Sequence, residues 1–288
     1  MPKPYITLII TIGDERITIA KDSVYRLLAG GITGIESTDC EAMLTEYAAM
    51  DGGYLEAVRI PPRTISVQFA INDKKQTEEL RKRLIAMFSP KKRGTLVVNR
   101  GNRARKINFY MRNRAEFTQS NIIQDRLIVN VDMVCPDPYF EDVNATTINF
   151  MKASPLLTFP FNSLAGVGIT AGVLTVTDRV KLVNDGDVPV GIICDITANG
   201  GTVTNPKITM NGQYVRVIKT MEIGDALSIN TNKGQKNIYF NGESQFIFDR
   251  TSVFFELPVG ENEIVISADA GVKDAKASFT YSFKYLGV

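Results

Sequence analysis

The sequence predicts a mainly β protein, in which a mixed β domain with one helix precedes an all-β sandwich. Three observations predict this fold: many short runs with alternating apolar residues, a single stretch with helical spacing, and a change of texture near residue 140. The 288 residues suffice for two domains, and 44% hydrophobic with 22% charged residues is typical of a folded protein.

In the first half, one helix is predicted over residues 73–88. Asn72 or Asp73 is a candidate N-cap, and Pro90 ends the segment. The apolar residues of this segment recur at helical spacing and form one stripe: Leu80, Leu84, Met87 and Phe88. Such a helix is long enough to cover one face of a small sheet.

Strands are predicted around this helix. Residues 64–71 alternate strictly between apolar and polar side chains, as a half-buried strand does. Residues 95–100 and 103–112 flank a Gly-Asn turn and are interpreted as a β-hairpin, and residues 122–134 as a further strand. Residues 39–50 fit either a short helix after a Ser-Thr-Asp cap or a loop.

The domain boundary is predicted within residues 137–150. Pro136 and Pro138 end any regular element, and the net charge changes sign nearby: residues 1–140 hold 21 basic and 16 acidic residues, and residues 141–288 hold 12 and 15. The sequence therefore predicts one domain at 1–140 and a second at 141–288.

The second half reads as a series of short strands separated by Gly, Asn and Asp turns, which is typical of a β-sandwich or jelly-roll. The predicted strands are 180–183, 190–197, 207–210, 213–218, 226–230, 237–240, 252–256, 262–268 and 277–285.

The composition argues against most enzymes. The sequence has no histidine, so it lacks any His-based catalytic triad or zinc site. Cys40, Cys135 and Cys194 are too widely spaced for a paired metal motif, and each is expected to be a small buried residue. No convincing pair of carboxylates is present. We predict no catalytic residues, no metal and no cofactor, and, because no apolar run reaches about 18 residues, no membrane anchoring.

One charged feature is unusual, because residues 81–114 contain twelve basic residues and no acidic one. Like charges facing each other across a hairpin are destabilising unless something offsets them, so the hairpin residues are candidates for an interface. These candidates are Arg100, Arg103, Arg105, Lys106, Arg112 and Arg114. An acidic protein partner is favoured, and nucleic-acid binding or a merely solvated face are the alternatives.

An acidic stretch precedes the basic one. No Lys or Arg stands between Gly31 and Tyr54, and the acidic residues there and just beyond are Glu36, Asp39, Glu41, Glu46, Asp51 and Glu56. Two complementary surfaces on one subunit fit a head-to-tail contact that closes into a ring.

Eleven segments follow one another in a specific order and spacing: residues 50–54, 63–69, 88–90, the basic hairpin 95–112, 135–140, 184–190, 205–208, 224–229, 239–242, 257–264 and 281–285. Together they resemble the distal tail (Dit) proteins of long-tailed bacteriophages. The resemblance covers nearly the whole chain. It implies an N-terminal β-barrel-like domain with one packed helix and a C-terminal galectin-like β-sandwich.

The resemblance also implies a structural role without enzymatic activity. Six N-terminal domains are expected to form a ring that joins the tail tube protein to the baseplate hub or to a receptor-binding protein, with DNA passing through without specific binding. The protein would then be part of the virion tail tip, after assembly in the host cytoplasm. The alternative is a carbohydrate-binding adhesin of a phage tail or tail-like bacteriocin. The absence of Trp argues against that alternative, because sugar sites usually stack on aromatic rings.

Overall fold

The computed structural model describes residues 6–73, 75–120, 126–150, 154–155, 172–173 and 179–288. The chain divides into two compact units, Met1–Val143 with Lys284–Val288, and Asn144–Phe283. The second unit is therefore an insertion into the first, and the chain passes between the units twice. The predicted division had placed the last five residues in the second domain, whereas in the structure they complete the first.

The first unit contains twelve of the described strands and one helix. They are β1 (Ile6–Ile12), β2 (Glu15–Ile19), β3 (Tyr25–Thr33), β4 (Glu41–Glu46), β5 (Gly53–Arg59), β6 (Arg63–Ile71), α1 (Thr77–Met87), β7 (Arg93–Arg100), β8 (Arg103–Met111), β9 (Glu116–Ser120), β10 (Arg126–Cys135) and β11 (Phe140–Asp142), with β26 (Lys284–Tyr285) at the far end of the sequence. The predicted strand at 122–134 corresponds to β10, and its residues 122–125 lie outside the described residues.

Seven of these strands close into a barrel in the order β8, β7, β1, β2, β3, β6 and β10. The closing pair joins Met133 of β10 to Met111 of β8, and β2 with β3 is the parallel pair. A closed barrel leaves no exposed edge between these strands. On one side β11 adds to β8 and β26 adds to β11, while β9 adds to β10.

The barrel interior is filled by apolar side chains from alternate positions of six strands, and β3 adds Tyr25 with the partly buried Leu27 and Ile32. Phe69, Phe109 and Met133 are fully buried there. The predicted alternation of residues 64–71 is confirmed, since Ile65, Val67, Phe69 and Ile71 all belong to this core.

Helix α1 covers the barrel with the predicted stripe, of which Leu84, Met87 and Phe88 are buried and Leu80 is partly buried. The helix begins at Thr77, four residues later than predicted. The reason lies in Asp73, whose carboxylate accepts the main-chain N–H of Lys75 at 2.9 Å and of Gln76 at 3.3 Å. Asp73 thus holds a turn before the helix instead of capping its first residue.

The second unit contains the remaining strands and one short 3₁₀ helix. The strands are β12 (Thr146–Phe150), β13 (Ser154–Pro155), β14 (Gly172–Val173), β15 (Arg179–Asn184), β16 (Ile193–Ala198), β17 (Val203–Thr204), β18 (Lys207–Met210), β19 (Gln213–Arg216), β20 (Thr220–Met221), β21 (Ala226–Asn230), β22 (Asn237–Phe240), β23 (Glu243–Ser244), β24 (Gly260–Ser267) and β25 (Ala275–Tyr281), and the 3₁₀ helix is Val272–Asp274.

Two sheets of the second unit enclose its core. The six-stranded sheet has the order β12, β25, β16, β21, β22 and β23, and the four-stranded sheet has the order β15, β24, β18 and β19. Cys194, Phe279, Ile208 and Ile264 are fully buried in this core. The predicted fold class is confirmed: the protein is mainly β, with a barrel carrying one helix followed by a β-sandwich.

Two predicted elements of the second unit differ in the structure. Residues 252–256 form no strand, and their neighbour Leu257 makes only an isolated bridge to Val190. The predicted strand at 277–285 is two strands, because β25 ends at Tyr281 and β26 pairs within the first unit. Sequence alternation cannot show such a change of sheet, since both pieces keep the period of two.

Candidate interface on the first unit

Residues Glu41–Arg59 form a two-stranded hairpin, which we call the arm. Among the described residues no third strand pairs with β4 or β5, and every residue of the two strands is exposed except Thr45, which is half-buried. The interpretation of residues 39–50 as a helix or loop was therefore wrong. A two-stranded hairpin is marginally stable in water unless something packs against it.

The arm has one apolar face. Residues that lie opposite each other in the pairing share a face, and the pairs Ala42–Val58 and Leu44–Leu55 place four apolar side chains together. Leu44, Leu55 and Val58 are exposed by 67%, 54% and 56%. Contiguous exposed apolar side chains of this kind mark interaction sites in soluble proteins.

The opposite face of the arm is mixed, because polar side chains that pair with each other lie there beside Met43 and Ala57. Arg59 donates to Glu41 at 2.6 Å, and Thr45 donates to the carboxylate of Glu56. The pairing shifts register between Met43 and Leu44, which is the geometry of a β-bulge at Glu56. Four acidic residues against one basic residue give the arm a negative charge.

The structure separates the six predicted basic residues into different environments. Arg112 donates to the Thr64 hydroxyl at 2.9 Å, and Lys106 donates to the main-chain oxygen of Val143 at 3.2 Å. Arg103 and Arg114 are exposed, and among the described residues they make no side-chain hydrogen bond or ion pair. These two therefore remain candidates for an intermolecular contact.

Arg100 and Arg105 bind the last residues of the same chain. We call Lys284–Val288 the strap. Arg100 donates to the main-chain oxygen of Val288 at 3.0 Å and to both carboxylate oxygens of Glu36 at 3.1 Å. Arg105 donates to the main-chain oxygen of Gly287, and its guanidinium lies 3.5 Å from the ring centroid of Tyr285. Contacts within the same chain therefore offset part of the repulsion between the like charges of the hairpin.

Arg63 was not singled out from the sequence, although it is the most buried charged residue among those described, with 5% exposure. Its guanidinium donates to the main-chain oxygens of Gly34 and Pro138, both at 2.7 Å, and of Leu286. Burial lowers the pKa of this guanidinium from its ordinary value. The sequence contained one indication that Arg63 is buried, because Arg63 lies in phase with the alternating buried residues of β6.

The second unit carries a polar cavity of about 300 Å³ on the outward face of its four-stranded sheet. Its lining residues are Asn205, Lys207, Tyr214, Arg216, Ser267, Ala268 and Asp269. Asp269 accepts hydrogen bonds from Arg216 at 2.6 Å and from Asn205 at 2.7 Å, which lower the pKa of its carboxyl below the ordinary value. The ammonium of Lys207 lies 4.1 Å from the ring centroid of Tyr214.

The three cysteines lie in two kinds of environment. Cys135 and Cys194 are buried, as expected, whereas Cys40 is exposed and the expectation for it was wrong. Burial raises the pKa of Cys135 to about 12 and also raises the pKa of Cys194. Among the described residues no group of three or more His, Cys, Asp or Glu could hold a metal ion. In the same part of the chain, no helix is both long and apolar enough to cross a membrane.

Comparison with known proteins finds a family match for residues 185–285 and a shared fold for nearly the whole chain. Residues 185–285 match the family described as siphovirus-type tail component, C-terminal domain. The crystal structure of the Dit protein of phage SPP1 aligns with 97% of this chain and 99% of its own length, at a TM-score of 0.67 and 11% identity. A chain of the phage P2 baseplate in its activated conformation with Ca aligns with 98% and 99%, at a TM-score of 0.51 and 11% identity.

No curated protein sequence matches the chain. The predicted resemblance to phage distal tail proteins is nevertheless confirmed: the second unit matches the tail-component family, and nearly the whole chain has the fold of a Dit protein.

Proposed function

We propose that this protein is a structural, non-enzymatic component of a phage tail tip. In this role, copies of the first unit form a ring that joins the tail tube to the baseplate hub or to a receptor-binding protein and leaves a channel for DNA. The tail-component match of residues 185–285 supports the setting. The expected number of six copies rests on the resemblance to distal tail proteins, as does placement in the virion.

The observation that carries this proposal is the apolar face of the arm. Full burial of a Leu or Val side chain contributes roughly 1.5–3 kcal/mol, so covering Leu44, Leu55 and Val58 would provide a substantial part of an interface. A head-to-tail contact between copies covers one such arm per subunit and closes into a ring when the rotation allows it. An isolated monomer leaves all of these side chains in water.

Charge supports the same arrangement. The arm carries four acidic residues, and Arg103 and Arg114 present exposed positive charge on the first unit. Opposite charges on two surfaces of one subunit favour association between copies and set its register. The exposed basic residues also fit docking on a separate acidic tail protein. The test below includes that result as one of its outcomes.

The test is native mass spectrometry and negative-stain microscopy of the full-length protein. We expect a closed ring for the unmodified chain, and its loss in the double variant Leu44→Gln with Leu55→Gln. The matched control is Met43→Gln with Ala57→Gln, which changes the same two strands on the opposite face. We expect the control to assemble like the unmodified protein.

Two results would contradict the proposal. A chain that stays monomeric at high concentration, both alone and with the tail tube protein, rules out ring formation. Equal assembly of the two double variants removes the arm as the contact. Assembly only in the presence of a tail tube protein would replace the self-assembling ring by docking on that partner.

Saccharide binding by the second unit is a second candidate function, which the polar cavity favours. Asp269, Arg216 and Asn205 provide a fixed set of acceptors and donors for hydroxyl groups, and Tyr214 provides a ring at the wall. Ligand cavities of about this size combine a few fixed polar groups with an aromatic surface.

A glycan array probed with the full-length protein tests this second function. Binding is expected to disappear in Arg216→Ala, whereas Arg179→Ala, an exposed arginine on another strand of the same sheet, is the control. Absence of any bound glycan at high protein concentration would rule out the second function and leave the structural role unaffected.

A further inference from the structure

We propose that the strap, Lys284–Val288, positions the arm by holding both of its roots at the end of the barrel. The two roots are the segments Gly34–Glu36, which precedes β4, and Ile60–Arg63, which follows β5. The importance of this positioning for ring formation rests on the proposed function, whereas the positioning itself does not. The strap is separated from both roots by more than two hundred residues of sequence.

The strap holds the first root through main-chain and side-chain contacts. The Val288 N–H donates to the main-chain oxygen of Ile35 at 3.0 Å, and Ile35 is buried with 2% exposure. Arg100 joins the Glu36 carboxylate to the main-chain oxygen of Val288. The first root therefore touches the strap on both its main chain and its acidic side chain.

Arg63 connects the second root to the strap and to the first root. Its guanidinium donates to Leu286 in the strap and to Gly34 in the first root. A planar guanidinium presents five donors in a fixed geometry, so one side chain can fix several segments. Because this guanidinium is buried and its hydrogen-bond acceptors are main-chain oxygens, it depends on these segments staying in place.

Further contacts hold the strap itself. The ammonium of Lys284 lies 2.5 Å from the Asp137 carboxylate, and the Tyr285 hydroxyl donates to Asp142 at 3.1 Å. At Gly287 the strap runs so close to the first root that a Cβ atom would overlap the main-chain oxygen of Glu36. Only glycine fits this position without displacing one of the two segments.

The arm has no strand partner in the ten-stranded sheet of the described residues. Within this part of the chain, β4 and β5 lie outside that sheet and pair with each other. The direction of the arm is therefore set at its roots. Loss of the strap is expected to remove one contact from each root, whereas the seven barrel strands are expected to keep their pairing.

Cys40 provides a probe at the required place. It lies between the first root and β4, and it is exposed, whereas Cys135 and Cys194 are buried. A spin label on Cys40 therefore reports the mobility of the arm at its base. We expect the label on the unmodified chain to move slowly, because the segment on which it sits is held at the root.

The experiment compares three variants of the full-length protein. Deletion of residues 284–288 removes the strap, Arg105→Ala removes its contacts to Gly287 and Tyr285, and Arg93→Ala, an exposed arginine on the neighbouring strand β7, is the matched control. We expect faster motion of the label in the first two variants and no change in the control. Addition of the peptide Phe-Lys-Tyr-Leu-Gly-Val to the deletion variant is expected to restore slow motion.

The outcomes separate the two proposals. Faster label motion together with lost assembly supports both. Faster motion with unchanged assembly supports positioning by the strap and removes the arm from the proposed ring contact. Unchanged motion in both strap variants overturns the positioning proposal. If the deletion variant fails to fold, as circular dichroism would show, Arg105→Ala against Arg93→Ala decides the question.

Discussion

The Arg63 guanidinium donates a hydrogen bond to the main-chain oxygen of Leu286, 223 positions further along the chain. The same group lies 5.0 Å from the ring centroid of Phe140 and donates to two more main-chain oxygens. One buried cation thus joins the start of β6 to the end of the sequence, and this arrangement has measurable consequences.

Replacement of Arg63 by Lys is expected to lower the free energy of unfolding by about 2–4 kcal/mol. A lysine keeps the charge but has one compact ammonium, which cannot reach three separate oxygens, so buried oxygens lose their donors. Chemical denaturation measures the change. Arg59→Lys, on the exposed mixed face of the arm, is the control and is expected to change stability by less than about 0.5 kcal/mol. Equal changes in the free energy of unfolding of the two variants would contradict the importance of the buried guanidinium.

Alkylation at pH 8 is expected to modify Cys40 and leave Cys135 and Cys194 unmodified in the native protein. The thiolate is the reactive form, and the pKa of Cys135 is raised to about 12 by burial. Mass spectrometry after labelling, with and without denaturant, gives the measurement. Native labelling of either buried cysteine at the rate of Cys40 would contradict the buried placement.

The same raised pKa of Cys135 predicts a loss of stability at high pH. An unfolded thiol ionises near its ordinary pKa of 9, whereas the folded thiol stays protonated to about 12. The unfolded state therefore releases its proton first, and stability falls as the pH rises through this window. Urea titrations between pH 8 and 11 measure the slope, which is expected to be smaller in Cys135→Ala. An identical slope in that variant would assign the loss to other groups.

The carboxyl group of Asp269 is expected to titrate below its ordinary pKa of 3.8, because Asn205 and Arg216 donate hydrogen bonds to its charged form. The contribution to stability is therefore present above the ordinary pKa and is lost as the pH falls through the folded value. Carbon-detected NMR titration measures the pKa directly. Asn205→Ala is expected to raise it, and an unchanged pKa would contradict the assigned cause.

Assembly is expected to weaken when Arg103 and Arg114 are both changed to Glu and when salt is raised. Exposed charges interact over a Debye length of about 10 Å at 0.1 M salt and about 3 Å at 1 M. Arg105 is left unchanged, because it binds the strap and its loss would alter the arm as well. Light scattering of the full-length protein gives the measurement. Assemblies of unchanged size in the double variant and at 1 M salt would show that apolar contacts alone hold the copies together.

The sequence predicted those elements whose apolar periodicity matches the face that they bury in the core. Residues 64–71 alternate and do line the barrel, and Leu84 and Met87 recur at helical spacing and do cover it. Local periodicity suffices in these cases because each element buries one face against the same core.

The arm and the strap could not be predicted in this way. Neither strand of the arm alternates cleanly between apolar and polar residues, a β-bulge interrupts the period, and the apolar face is exposed within one chain. The strap depends on Arg63, Arg100 and Arg105, which come together only after the chain has returned from the second unit. Charge in the sequence marked Arg100 and Arg105 but not Arg63, and in the structure all three donate to main-chain oxygens of residues 286–288.

The insertion of the second unit into the first has a mechanical consequence. Any pull on the second unit reaches the first through two covalent links that enter adjacent strands, since Phe140 pairs with Tyr285 and Glu141 with Lys284. The load is shared between β11 and β26, and β11 passes its part to the barrel through β8. A joint of this kind is redundant: a protease that cuts one link leaves the other to bear tension, and the two units stay connected.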